Sequence, residues 1–409
     1  MARRICLVTP GNLAANPRIV KEADALQDAG YDVTAVVSDY SQGLRRFDDE
    51  ISGQAKWRVV RAPRASSERY VRAAARVAAK VIDGIGADIP SSIAAPASGG
   101  PVATLREAAC GVSADLYIAH YTSALPAAGA AAERHGALLG FDAEDFHAGE
   151  SDGSPAESLR MATVRAVEAK WLPRCKHLTA ASPLIAKAYA SAYGVHPVSV
   201  LNVFPLKMAP KQAALPRHAD APLRAYWFSQ TIGLDRGLQP FLQAMAQTST
   251  PIELDLRGAD PWGHGATLLK RARDLGIAAR VRVLPMASPD EMVRLAAGYD
   301  VGLSLETDVS ENRQLCLTNK IFTYLLAGVP VVMSDTPAQR QLAPDLGDAA
   351  ALVSLSDSKG IATALDRLAG NLEAAKAEAT RLGHERYNWE TEKAVLLASV
   401  ESAFARGPG

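Results

Sequence analysis

The sequence predicts an α/β protein made of two doubly wound domains, each with a parallel sheet. Three observations carry this. Short apolar runs alternate with amphipathic segments of helical spacing and are stopped by glycine, the pattern of successive βαβ units. The alternation occurs twice, on either side of a Pro-, Ala- and charge-rich stretch without periodicity. The length of 409 residues suits two or three domains.

The first series begins with an apolar run at residues 5–8, broken by Pro10-Gly11-Asn12. Residues 18–29 follow as a helix with Ile19, Ala23 and Leu26 on one face, ended by Gly30, and residues 33–37 form a second strand. Further strands are expected at 57–60, 116–119, 138–141 and 178–180. The second series has strands at 225–228, 252–256, 281–284, 301–305, 329–333 and 350–353, separated by helices. The boundaries expected are an N-terminal domain over 1–206, a linker over 207–221 and a C-terminal domain over 222–387. Two such domains joined by one linker imply a cleft, with ligands at the carboxyl ends of the strands.

Composition narrows the function classes. Hydrophobic residues are 48% and charged residues 22%, enough for large cores, and 44 basic residues balance 44 acidic ones for a net charge of zero. A chain-wide basic field for nucleic acid is excluded. Cys6, Cys110, Cys175 and Cys316 are dispersed, without a C-x-x-C pair. They suit a reducing cytoplasm and make neither a disulfide framework nor a zinc site. The apolar run before Pro10 is too short for a signal peptide. No uninterrupted apolar stretch of ~18 residues is present to span a membrane.

The most informative segment is Thr318-Asn319-Lys320-Ile321-Phe322-Thr323-Tyr324-Leu325-Leu326-Ala327-Gly328-Val329-Pro330-Val331-Val332. Thr318 or Asn319 can cap a helix that Gly328 ends, with a buried strand beyond. Lys320 in the first turn opposes the helix dipole. Beside free backbone N–H groups it makes a seat for phosphate; alone it is a solvated lysine on an ordinary helix.

This string resembles the donor-site helix of GT-B glycosyltransferases, in the family-4-like group of retaining enzymes (bacterial glycosyl group 1 type). The stretch from Tyr226 to Leu238 resembles the strand-loop that opens their second domain, in which the basic residue before Gly-Leu, here Arg236, holds the donor diphosphate. Leu256-Arg257-Gly258 and Tyr299–Glu306 resemble two later strand ends of that domain. The resemblance implies two Rossmann-like domains facing each other across a cleft, with a final helix at about 388–405, opened by Tyr387-Asn388-Trp389, crossing back onto the first. It implies donor contacts from Thr231, Arg236, Arg257, Glu306, Asn312, Asn319, Lys320 and Thr323, and catalytic roles for His120, Arg236 and Lys320. The family usually has Glu where this chain has Thr323, and an E-x7-E pattern would need an acid at Leu315. A hydroxyl lacks the bidentate acceptor geometry with which such a carboxylate grips ribose. Glu306, Asp308 and Glu311 are nearby acids that can substitute or be solvated loop charges.

In the first half, Gly11 to Arg18 follows the first strand and is not G-x-G-x-x-G, so a dinucleotide fingerprint is absent. In the resembling enzymes this loop contacts acceptor or transferred sugar, which implicates Gly11 and Asn16; a helix-capping role explains Asn16 equally. The Leu116–His120 strand end and the Phe141-Asp142-Ala143-Glu144-Asp145-Phe146-His147 loop resemble cleft-facing H-x-H-D and D-x-H-E loops of bacterial members. His120 matches the second His of the former; Glu144 occupies the usual His position of the latter, leaving His147 and Asp145 as neighbouring candidates. Arg69, Arg72, Arg76 and Lys80 recur at helical spacing, a solvated face or a peripheral contact with anionic lipid or a lipid-diphosphate acceptor. Residues 89–101, rich in Ala, Ser, Pro and Gly, read as a mobile loop.

The expected function is transfer of a sugar from a nucleotide-diphosphate sugar to an acceptor hydroxyl in glycan biosynthesis, with retention and without metal or other cofactor. The acceptor is a glycan, a lipid-linked or a small molecule, and the setting is cytoplasmic or peripheral at the inner face of the membrane. The departing diphosphate would be stabilised by Arg236, Lys320 and a helix N-terminus. The alternatives are a GT-B-shaped nucleotide-sugar binding or scaffold protein, motivated by Thr323, and a nucleotide-sugar epimerase.

Overall fold

A computed structural model describes residues 2–39, 41–63, 65–151, 153–211 and 221–407. The chain divides into two compact units, Met1–Val200 with Lys393–Gly409, and Leu201–Glu392. Residues 212–220, most of the expected linker, lie outside the described residues.

The first unit is built on strands β1 (Arg4–Val8), β2 (Asp32–Ser38), β3 (Arg58–Ala62), β4 (Leu116–His120), β5 (Leu138–Ala143), β6 (His177–Ala180) and β7 (Val198–Ser199). They form one parallel sheet in the order β3-β2-β1-β4-β5-β6-β7. Its helices are α1 (Pro17–Asp28), α2 (Arg45–Gln54), α3 (Glu68–Gly84), α4 (Ser91–Ser98), α5 (Val102–Cys110), α6 (Leu125–His135), α7 (Pro155–Trp171) and α8 (Pro183–Tyr193). The near-continuous apolar strands are buried on both faces, as a parallel sheet between helix layers requires. Ile5, Leu7, Val33, Ala35, Val37, Leu116 and Ile118 meet Ile19, Ala23 and Leu26 of α1 in one core.

The second unit has β8 (Leu223–Thr231), β9 (Ile252–Ala259), β10 (Val281–Leu284), β11 (Val301–Ser304), β12 (Val331–Ser334) and β13 (Ala350–Val353). They pair in parallel in the order β10-β9-β8-β11-β12-β13. The helices are α9 (Leu238–Met245), α10 (His264–Asp274), α11 (Met292–Ala296), α12 (Glu311–Leu315), α13 (Asn319–Leu326), α14 (Pro337–Leu346), α15 (Ser358–Gly370) and α16 (Leu372–Glu385). The final helix α17 (Trp389–Arg406) starts in this unit, where Trp389 N donates to the Phe204 carbonyl at 2.9 Å. From Lys393 on it belongs to the first unit, with Val400 and Ala403 in that core and Ser399 Oγ 3.1 Å from His177 Nδ1.

All six strands expected in the second half are present. In the first half the two-residue β7 is an addition, too short to leave an apolar run. The expected loop at 89–101 is instead largely helix: Ser91–Ser98 folds as α4 in spite of Pro96. Alanine is the best helix former, and Ala94, Ala95 and Ala97 are buried where α4 packs between α3 and α7. Two members of the expected basic stripe close the end of α4: Arg76 Nε donates to Ala97 O at 3.2 Å and an Arg72 amine to Gly100 O at 3.3 Å.

Candidate functional site

In each sheet the strand order reverses at one point, between β1 and β4 and between β8 and β11. At such switch points the following loops diverge to opposite faces and open a crevice at the carboxyl ends of the strands. The residues singled out from sequence concentrate at these two places.

In the second unit the β8 loop brings Arg236 and the β11 loop brings Glu306 to the switch point. Gly237, after Arg236, is the residue before α9 and has φ +66°; a Cβ there would lie 2.8 Å from the Leu305 side chain. Only glycine lets the two loops approach this closely. Lys320, in the first turn of α13, donates from Nζ to Glu306 Oε1 at 3.1 Å, and both residues are buried. Arg313 of α12 approaches the other carboxylate oxygen at 3.6 Å and donates to Asp235 Oδ2 at 2.8 Å. Arg236 Nε is buried without a hydrogen-bond partner among the described residues. Burial alone would raise the Glu306 carboxyl, but Lys320, Arg313 and Arg236 outweigh it and hold it below the usual range. Three cations therefore surround one ionised carboxylate. They stand beside a helix N-terminus that has no side-chain cap at Thr318, whose hydroxyl lies 3.1 Å from Ser304 Oγ. The arrangement is electropositive and preorganised for an anion with several oxygens.

The remaining donor candidates fall around this centre unevenly. Thr231 ends β8, and Asn319 is exposed at the start of α13. Asn312, in the turn before Arg313, accepts from Cys316 Sγ at 3.2 Å. Arg257 at the end of β9 is tied to the Tyr226 hydroxyl and the Pro285 carbonyl, both at 2.8 Å. Thr323 departs from expectation. It is 0% exposed and its hydroxyl donates to Asn319 O at 2.9 Å, so it presents no group to a ligand. A threonine inside a helix bonds back to the preceding turn. Arg313 went unnoticed in the sequence because its helix is five residues long and carries no periodic signal.

In the first unit the β1 loop supplies Gly11 and Asn16, and β4 ends in His120. Asn16 caps α1 by accepting from Ile19 N at 3.2 Å, while its Nδ2 is buried without a partner among the described residues. It thus combines the capping role with an unused donor. Arg18, one turn into α1, grips Asp142 of β5 through Nε to Oδ2 at 2.6 Å and a second amine to Oδ1 at 2.8 Å. Thr179 Oγ1 adds a third donor to Asp142 at 2.6 Å. His120 stands between Glu22 Oε2 at 2.9 Å and Asp142 Oδ2 at 3.5 Å, and its pKa is raised because the two carboxylates outweigh burial. Glu22, His120 and Asp142 lie close enough together to suit a metal ion, but Arg18 and Thr179 already occupy both Asp142 oxygens. Arg18 and Asp142 make a buried ion pair, with His120 and Glu22 packed beside it.

His120 at the end of β4 is only 2% exposed. The buried charges Arg18 and Glu22 are one helical turn apart on the core face of α1, beside Ile19 and Ala23. That break in amphipathicity was the available sequence signal. Immediately after His120, Tyr121 has φ +67° and ψ 146°, the one non-glycine residue with positive φ among the described residues. Strain of this kind is kept where surrounding packing over-determines it, commonly at functional sites. The Tyr121 ring lies 5.8 Å from the His147 ring. Tyr189 OH donates to Asp145 O at 3.1 Å, holding the loop after β5 that carries Asp145 and His147.

His147 Nδ1 is 2.8 Å from Glu150 Oε1. Burial alone would lower its pKa, but Glu150 outweighs burial and raises it to about 9. A folded-state pKa above the unfolded value means that the contribution is complete below pH ~6.5 and is lost as pH rises through about 9. Thermal melts from pH 6 to 9.5 should show the wild type losing about 3 kcal/mol more than His147→Gln over this window. Parallel curves would refute the coupling.

Both units match solved GT-B glycosyltransferase structures. HepE of Anabaena, in a crystal structure with UDP and glucose, is 16% identical, with 98% of this chain and all of that chain covered at a TM-score of 0.70. A glycosyltransferase of Rickettsia africae is 10% identical over 98% of each chain at 0.69. Sucrose-phosphate synthase of Thermosynechococcus elongatus is 14% identical over 99% of this chain and 100% of its own, also at 0.69. No protein-family model and no curated protein matches the chain. The architecture is therefore that of the GT-B fold.

Proposed function

We propose that this protein is a glycosyltransferase that moves a hexose-type sugar from a nucleotide-diphosphate sugar to an acceptor hydroxyl, with retention and without a metal, in glycan or glycoconjugate biosynthesis. The observation that carries the proposal is the cluster of Lys320, Arg236 and Arg313 around Glu306 at the β8/β11 switch point and the α13 N-terminus. A leaving diphosphate develops charge as the glycosidic bond breaks, and fixed cations with open backbone N–H groups stabilise it without reorganising. Lys320, Arg236, Thr231, Arg257, Glu306, Asn312 and Asn319 form the donor side. The departing phosphate assists the incoming hydroxyl, so no protein nucleophile is required. Gly11, Asn16, Asp145 and His147 form the acceptor or sugar side. His120 acts from beneath as a positioning residue, since it is enclosed by Glu22 and Asp142.

The UDP in the HepE structure makes uridine the first base to test. Four cysteines outside any disulfide are compatible with a cytoplasmic setting, and no helix among the described residues is long and apolar enough to cross a membrane. Calorimetry with UDP-, GDP- and dTDP-sugars should give one series with a Kd between about 1 μM and 1 mM, followed by acceptor-dependent transfer or slow donor hydrolysis. Failure of every nucleotide sugar to bind would overturn the proposal. Binding without turnover across acceptors would favour the scaffold reading that the missing acid at Thr323 motivates. Isomerised sugar nucleotide formed without an acceptor would indicate an epimerase.

A further inference from the structure

Ten large hydrophobic residues are exposed among the described residues, and five of them, Tyr70, Val71, Val77, Val81 and Ile85, lie on α3 or on the residue that follows it. At about 100° per residue, Tyr70, Ala74, Val77, Val81 and Ile85 fall in one sector roughly opposite the buried Ala79. Arg69, Arg76 and Lys80 fall in the sector next to it. The inner face is already engaged. Glu68 Oε1 accepts from Thr104 N at 2.9 Å and Thr104 Oγ1 at 3.0 Å, and Arg72 and Arg76 close the end of α4. The outward stripe is therefore largely exposed on its own unit, and exposed apolar stripes of this kind mark interaction surfaces.

We propose that α3 is a membrane-docking helix, lying in the interface of an anionic lipid surface with Tyr70, Val77, Val81 and Ile85 among the headgroups and acyl ends and Arg69 and Lys80 against lipid phosphates. A row of valines alone would fit a protein groove as well. The cation row beside it selects lipid, because apolar insertion and attraction to anionic headgroups act on the same face. Tyrosine, with an apolar ring and a polar tip, suits the headgroup level. Of the two acids on the helix, Glu68 is turned inward onto Thr104, leaving Asp83 as the one opposing charge. A second copy of this chain is a poorer occupant, since antiparallel two-fold pairing of the stripe would set the cation row against itself. The proposal stands independently of the donor-site reading.

The test is co-sedimentation of the full-length protein with vesicles of phosphatidylcholine containing phosphatidylglycerol, against phosphatidylcholine alone. Binding should be at least about tenfold stronger to the anionic vesicles and weaken with salt. Val77→Asp/Val81→Asp should reduce it about tenfold or more, and Arg69→Glu/Lys80→Glu should remove the anionic preference. All four positions are surface positions outside the donor site, so both doubles should keep the wild-type melting temperature and nucleotide binding. The proposal is overturned if neither vesicle binds, or if binding survives both doubles. It is equally overturned if the stripe supports only a dimer in sedimentation that Val77→Asp/Val81→Asp dissolves.

Discussion

Lys320→Ala is expected to lower sugar transfer by about 10²–10³-fold, the usual cost of removing one preorganised donor to a developing oxyanion. Lys320 is the closest cation to Glu306 and stands in the first turn of α13. A multiply charged diphosphate can draw its ammonium away from that single carboxylate. Arg236→Ala should act on the same step by a similar factor, because Arg236 Nε is buried with no hydrogen bond among the described residues and only the Asp235 carboxylate near it, at 3.7 Å. Both variants should also weaken nucleotide-diphosphate binding, with the double far from additive since the two cations serve one anion. Lys320→Ala leaves Glu306 buried with less compensation, so the fold must be monitored alongside. Adding Glu306→Gln should restore melting temperature but not turnover. Steady-state transfer and calorimetry decide the matter: unchanged turnover and binding in both single variants would remove these residues from the donor site.

Asp142→Ala should destabilise the first unit by about 3–5 kcal/mol, the range for breaking a buried ion pair from one side. Asp142 accepts two bonds from Arg18 and one from Thr179, and lies 3.5 Å from His120. Its loss leaves the Arg18 guanidinium buried with the Val200 carbonyl as its remaining hydrogen-bond acceptor. Arg18→Met/Asp142→Leu should cost less than Asp142→Ala alone, since a buried pair exchanged for apolar groups of like volume is near neutral. Burial by itself would raise the Asp142 carboxyl, but Arg18 outweighs it and holds it far below the usual range. The pair's stabilisation is therefore complete above pH ~4 and is lost as pH falls towards that depressed value. Urea denaturation followed by circular dichroism measures the effect, and a loss under about 1 kcal/mol would refute the network.

Much of the second half was legible because its strands are buried on both faces and read as continuous apolar runs. Gly328 stops α13, and the Arg236-Gly237 pair stands at a turn that needs positive φ. The stripe Arg69, Arg72, Arg76, Lys80 was visible as a period, but not that two of its arginines serve the end of α4. The helix at Ser91–Ser98 was hidden by Pro96 and by alanine, which carries little apolar signal.

The sequence by itself determined the main strands, the class of fold and the chemistry available at the two strand-end regions, because these depend on local period, glycine and proline positions and residue type. Tertiary structure alone decided which charges meet. Glu306 and Lys320 are 14 residues apart, Arg313 and Asp235 are 78 apart, and Arg18 and Asp142 are 124 apart. No spacing rule encodes such encounters, because parallel strands are joined by long crossovers and only the sheet order brings their ends together. The same order enclosed His120, buried Thr323 and left the apolar stripe of α3 facing outward.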